Sequence, residues 1–301
     1  MQFQQRTLAR AASCAGIGVH SGRTVHLRVL PAPVNHGIQF VRTDLPARPT
    51  VPAVFANVVD TSNATVLGVE GCIVSTVEHL MAALAALEID NARVEIDNFE
   101  LPIMDGSAAP FVTLLEAAGI RKQGGPKCVF VVKKPITLAE GDKAVSIHPS
   151  PVPKITASID FSHPLIGHQS YTATVTADRF RDEIAPARTF GFLHEVEMMK
   201  QFGLGRGGSL DNAVVVGPDG ALNPDGLRFP DEFVRHKVLD CIGDISLLGL
   251  PILGHLVSRR SGHAFNHAFL KAFVENTAAW ETQTLHDLRD RQNRSAEALA
   301  V

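Results

Sequence analysis

Two segments in opposite halves of the chain each carry a histidine suited to metal binding. The first is Ser75-Thr76-Val77-Glu78-His79-Leu80 and the second is Val234-Arg235-His236-Lys237-Val238-Leu239-Asp240. His236 and Asp240 are four apart, so on a helix they share one face. His79 stands beside Glu78, a carboxylate suited to act as a base. Two His and one Asp make a three-ligand set that leaves a fourth position for water, as catalytic zinc requires. There is no HExxH motif, so such a site has to be assembled from distant segments.

Each piece also has a plainer reading. Ser75-x-x-Glu78 taken alone reads as a capping box at a helix start. In the second helix Val234, Val238, Cys241, Ile242, Ile245 and Leu248 form an apolar face, and His236, Asp240 and Asp244 lie on a separate stripe. Such a stripe is commonly a solvated face. Gly16-Ile17-Gly18-Val19-His20-Ser21-Gly22 reads as tight turns, because a strand rather than a helix follows it. Met104-Asp105-Gly106-Ser107 reads as a turn and helix start, with a structural role for Asp105.

Periodicity predicts strands over 24–30, 37–44 and 92–97, and helices over 75–87 and 109–118. The stretch 121–127, rich in Gly and Pro, reads as a linker. Strands follow over 128–134, 144–148, 155–161 and 171–176, then helices over 231–248 and 266–280. Each half thus runs strands, a His-bearing helix, then a terminal helix. Phe190 to Gly208 reads as an insertion with more apolar surface than a loop needs, and the tail from Asp287 as polar and frayed. The expectation is an α+β chain of two related domains, 1–126 and 127–301.

A chain of 301 residues suffices for two cores, and 45% hydrophobic with 20% charged residues suits a soluble globular protein. A net charge of −3 argues against a nucleic-acid partner. The four Cys contain no C-x-x-C pair and suit a reducing cytosol. No apolar signal core opens the chain, and Asp240, Asp244, Pro251 and His255 interrupt the longest apolar stretch, so no membrane span is expected.

The motifs taken together resemble the UDP-3-O-acyl-N-acetylglucosamine deacetylase family, zinc amidases of lipid A synthesis in Gram-negative bacteria. The matching pieces are Gly18-Val19-His20-Ser21-Gly22, Ser75 to Leu80, Ile103-Met104-Asp105-Gly106-Ser107-Ala108, Ala187-Arg188-Thr189-Phe190-Gly191, His236-Lys237-x-x-Asp240-x-x-x-Asp244 and Ser261-Gly262-His263. They come in the family's order over about 15 to 275, and six in register are specific where one would not be.

The resemblance implies two sheet-and-helix domains facing each other, the site between them and an insert in each. It implies zinc, or ferrous iron in the same donor set, held by His79, His236 and Asp240. Glu78 would be the general base, and Thr189 and Lys237 would stabilise the oxyanion. His263, kept protonated by Asp244, would be the acid. The insert, with Phe190 and Phe192, would line a passage for the acyl chain. Phe161, Arg260 and Lys143 would contact the uridine diphosphate. Ser162 departs from the Asn expected there, and no contact is carried over to 62–64. The expected partner is a UDP-linked acylated glucosamine, and the expected form a cytoplasmic monomer with peripheral membrane contact left open. A zinc amidohydrolase acting on another acylated amino sugar, and a non-catalytic zinc scaffold, are the alternatives.

Overall fold

A computed structural model describes residues 1–291. Strand Thr24–Pro31 shows how the alternating pattern becomes a sheet. Its Val25, Leu27 and Val29 are buried while the intervening residues are exposed. It belongs to a five-stranded sheet in the order Ala12–Ile17, Thr24–Pro31, Ala92–Ile96, Ile38–Arg42, Thr50–Pro52. A second five-stranded sheet has the order Ile136–Glu140, Lys143–His148, His255–Arg259, Lys154–Asp160, His168–Thr174.

The two sheets share one topology. In each, the strand latest in sequence sits in the centre, antiparallel to the second strand and parallel to the third. In each, a helix precedes the central strand and another follows it. The first pair is α1 (Glu78–Ala86) and α2 (Ala109–Ala118). The second half adds a short α3 (Ala177–Arg179), which runs into a π turn, and α4 (Leu193–Gln201), followed by α5 (Glu232–Ser246) and α6 (His263–Glu275). The repeat that the matching order of elements hinted at, with Val77-x-His79 and Val234-x-His236 in equivalent places, is therefore carried by strand order.

An insert occupies the same place in each half, between the fourth strand of the sheet and the His-bearing helix. The first is a three-stranded sheet of Val58–Asp60, Val66–Val69 and Cys72–Val74. The second contains Phe190–Phe192, α4, Val214–Gly217 and Gly220–Ala221.

Three sequence expectations are corrected. The stretch 121–127 is not a linker: Ile120–Pro126 is a strand paired with Gln4–Leu8. Its Gly125 fits because a Cβ there would strike Val34, and the pairing shifts register between Gln4 and Arg6. The last helix ends at Glu275, and Trp280 opens strand Trp280–Thr284, which pairs with Cys128–Val132. A helix over 285–291 takes in the start of the tail expected from Asp287, with Leu285 buried and Leu288 packed beside it. The remainder of that tail lies outside the described residues.

Candidate metal centre and active site

The chain enters α1 through Thr76, held at φ 60°, after Ser75 is fixed by its N–H on the Phe99 carbonyl and its carbonyl on the Leu101 N–H. The helix starts at Glu78 itself with no side-chain cap, so the capping box is not formed. Glu78 lies too early in the helix to reach back to Ser75. Its carboxylate instead accepts the Thr65 N–H at 3.1 Å.

On α5 the polar stripe is inside the protein. His236, Asp240 and Asp244 are 2%, 4% and 2% exposed, so a solvated face is excluded. A carbonyl can only accept, so the 3.0 Å contact between His236 Nδ1 and Ala187 O places the proton on Nδ1. Nε2 is then a lone pair, and it lies 3.2 Å from Asp240 Oδ1. His79 Nε2 lies 3.8 Å from the same oxygen, and the two imidazoles meet edge to face at 5.0 Å.

This cluster fits a metal ion. Three ligand atoms, one from each of His79, His236 and Asp240, lie within 4.8 Å of one another. Asp240 Oδ1 is buried and receives no hydrogen bond from the described residues. Burial, then the neighbouring His236, pushes His79 down to about 3, and burial likewise lowers His236. Burial opposes ionisation of Asp240, but His236, Lys237 and His263 around it hold its carboxyl well below the usual range. Two neutral imidazoles and a carboxylate with an orphaned oxygen are a donor set for a cation. Asp240 Oδ2 accepts from Lys237 Nζ at 2.9 Å, which orients the carboxylate.

Two more ionisable groups flank the cluster. Burial, with Asp244 and Asp240 adding to it, raises Glu78 to about 7 despite the opposing charge of His263. Burial disfavours charge on His263, yet Asp244, by charge and by hydrogen bond, carries it up to about 10. His263 Nδ1 donates to Asp244 Oδ2 at 2.9 Å, leaving Nε2 3.9 Å from Glu78 Oε1.

Of the other expected site residues, Phe161, Phe190 and Phe192 form one aromatic group, with Phe161 6.0 Å from Phe190 and 5.7 Å from Phe192. Phe190 lies 6.4 Å from His236 and under Lys237 Nζ at 5.6 Å. Arg260 is 3.0 Å from Asp142 and 3.4 Å from Asp160, beside Lys143 and Phe161 in sequence. Lys143 is exposed. Thr189 is fixed by its backbone to Gly106 and Val214, and its hydroxyl has no hydrogen-bond partner among the described residues. Asp105 has the structural role expected of it: it accepts from Ser107 N and Oγ and pairs with Arg228.

Sequence reasoning missed Thr65. Its hydroxyl donates to Asp244 Oδ1 at 2.6 Å while its N–H holds Glu78. It missed Asn266, which donates to Asp244 Oδ2 at 2.8 Å. It also missed the pairing of Arg188 with Glu232, which is buried and bidentate, at 2.8 and 3.1 Å. A lone Thr or Asn leaves no pattern in a sequence. Arg188 lies inside the Ala187-Arg188-Thr189-Phe190-Gly191 motif, but nothing in the sequence marks Glu232 as its partner.

A buried two-histidine, one-aspartate group flanked by a carboxylate and a charged histidine is an arrangement that suits a metal-dependent hydrolase. Comparison with known proteins gives the family. The family model for UDP-3-O-acyl N-acetylglycosamine deacetylase matches residues 5–275. The UDP-3-O-acyl-N-acetylglucosamine deacetylase of Myxococcus xanthus is 53% identical over 93% of this chain and 89% of its own length. The protein of the same name from Syntrophotalea carbinolica is 53% identical over 92% and 90%, and that from an Anaeromyxobacter species 48% identical over 99% and 98%. The chain belongs to the UDP-3-O-acyl N-acetylglycosamine deacetylase family. Among the described residues no helix is long and apolar enough to cross a membrane.

Proposed function

We propose that this protein hydrolyses the N-acetyl group of UDP-3-O-(3-hydroxyacyl)-N-acetylglucosamine, giving acetate and the free amine, a step of lipid A biosynthesis. The observation that carries this reading is the placement of Glu78 and His263, 3.9 Å apart, beside the His79, His236 and Asp240 group. A divalent ion held by those three residues supplies Lewis acidity, which lowers the pKa of water from 15.7 towards ~7 and polarises a carbonyl. Zinc is the proposed ion, and the donor set also suits ferrous iron.

In this reading Glu78, near 7 at its carboxyl, takes the proton of the attacking water. The Thr189 hydroxyl, with no partner among the described residues, donates to the oxyanion, and the Lys237 ammonium adds positive charge nearby. The Asp244 carboxylate accepts from Nδ1 of His263 and its charge keeps the ring doubly protonated, so Nε2 carries a proton that it delivers to the leaving amine. Phe161 stacks on uracil, Arg260 and Lys143 face the diphosphate, and Phe190 and Phe192 line the way for the acyl chain.

We place the division between the two domains at Pro126 and Lys127. The working form in this reading is a cytoplasmic monomer, since one chain supplies every group named. The test is Glu78→Ala. It keeps bound metal and loses most acetate release; loss of the metal itself would make Glu78 structural and remove it as the base.

A further inference from the structure

A second concavity shares α1 and α5 with the metal site but contains none of its residues. It measures about 250 Å³ and lies against Met81 and Leu84 of α1 and Ile242 and Ile245 of α5. Strands of both five-stranded sheets close it, through Ile38 on one side and Ile155 on the other.

The chemistry of its walls is narrow. The lining is predominantly aliphatic and includes no Phe, Tyr or Trp. A flat aromatic ligand finds only the His36 ring to stack on, whereas an unbranched alkyl chain meets branched side chains over most of the wall. Glu88 and Asp90 at one end are already engaged: Lys127, 1% exposed, lies 3.0 Å from Asp90 and 3.5 Å from Glu88, and the Arg6 N–H donates to Asp90. Lys154, partly exposed at the start of its strand, has no anionic partner among the described residues, and its nearby ionisable neighbour is His255. The cleft therefore offers an apolar slot and one unneutralised cation.

We propose that this cleft is a second ligand site, taking one straight acyl chain whose anionic head, carboxylate or phosphate, pairs with Lys154. It is separate from the passage by Phe190 and Phe192, neither of which lines it. The proposal rests on the cleft alone and stands or falls independently of the reaction assigned above.

The test uses the full-length, metal-loaded protein and dodecanoate carrying a diazirine near its methyl end. Photolysis followed by peptide mapping should place the label on 81–89 or 242–256. Label confined to 190–222, or no labelling at micromolar probe, overturns the proposal. Affinity measured with unlabelled fatty acids should rise about four-fold per added CH₂ until the slot is full. Lys154→Glu should weaken dodecanoate about ten-fold and leave dodecanol unchanged, and an equal effect on both would remove Lys154 as the head-group partner. Ile245→Trp fills the slot and should abolish labelling while acetate release persists. Running dodecanoate beside a monoacyl glycerophosphate tells a free fatty acid from a lipid, since the head with the tighter binding identifies the source.

Discussion

Gly243 of α5 lies directly on the backbone carbonyl of Glu78, so closely that a Cβ at this position would overlap the carbonyl oxygen. This contact sets how near α5 comes to α1, and hence how near His236 and Asp240 come to His79. Because the clash is with backbone, the neighbour cannot rotate away. Gly243→Ala should cost about 1–3 kcal/mol of stability, the usual range for overpacking a tight contact, and weaken metal binding. The denaturation midpoint and a zinc titration check both, and an unchanged zinc affinity would show that the helix contact does not set the site.

The activity should follow a bell-shaped pH profile. Turnover rises as Glu78 loses its proton, at or below about 7 because a bound cation favours the carboxylate. It falls as His263 loses its proton, at or below about 10 because the same cation disfavours the imidazolium. Burial alone would lower His263, and Asp244 is the first of the groups that raise it. Asp244→Asn should therefore move the alkaline limb to lower pH. A profile flat from acid to alkaline pH would sink the acid and base assignments.

Thr65 joins the two halves of the proposed proton machinery, its hydroxyl on Asp244 and its N–H on Glu78. Thr65→Val keeps shape and backbone but removes the donor to a buried carboxylate, an interaction worth ~1.5–3 kcal/mol. Turnover should drop about ten-fold or more, with Thr65→Ser restoring most of it. Equal rates for the Val and Ser variants would make Thr65 a packing residue.

Arg188 and Glu232 hold the Ala187–Thr189 segment against the start of α5, where the Ala187 carbonyl fixes His236. Arg188→Met leaves Glu232, which is 0% exposed, without its guanidinium and with only the Arg188 and Arg228 backbone N–H groups donating to it, and breaking a buried pair costs ~3–5 kcal/mol. Thermal or chemical unfolding measures the loss. The double variant Arg188→Met with Glu232→Leu should recover part of it, and a double variant no better than the single one would argue against an isolated ion pair.

The metal-ready group was legible because the spacing of His236 and Asp240 survives in one helix and because six motifs agree in order. The duplication was faint in sequence, where only Val77-x-His79 and Val234-x-His236 repeat, yet it is plain in the shared strand order of the two sheets. Glycine and proline misled at 121–127, since a strand pairing only with Gln4–Leu8 tolerates both. The capping box failed for a related reason: Ser75 is committed to Phe99 and Leu101. Thr65, Asn266 and Glu232 reach the site through the fold rather than through spacing.

Metal-dependent acetate release tests the account most directly. The purified protein, given UDP-3-O-(3-hydroxyacyl)-N-acetylglucosamine, should release acetate, stop when a chelator strips the metal and resume when zinc returns. His236→Ala should fail to resume at zinc levels that restore the unaltered protein. Release that persists through complete metal removal, or none from a zinc-loaded protein, would contradict the account.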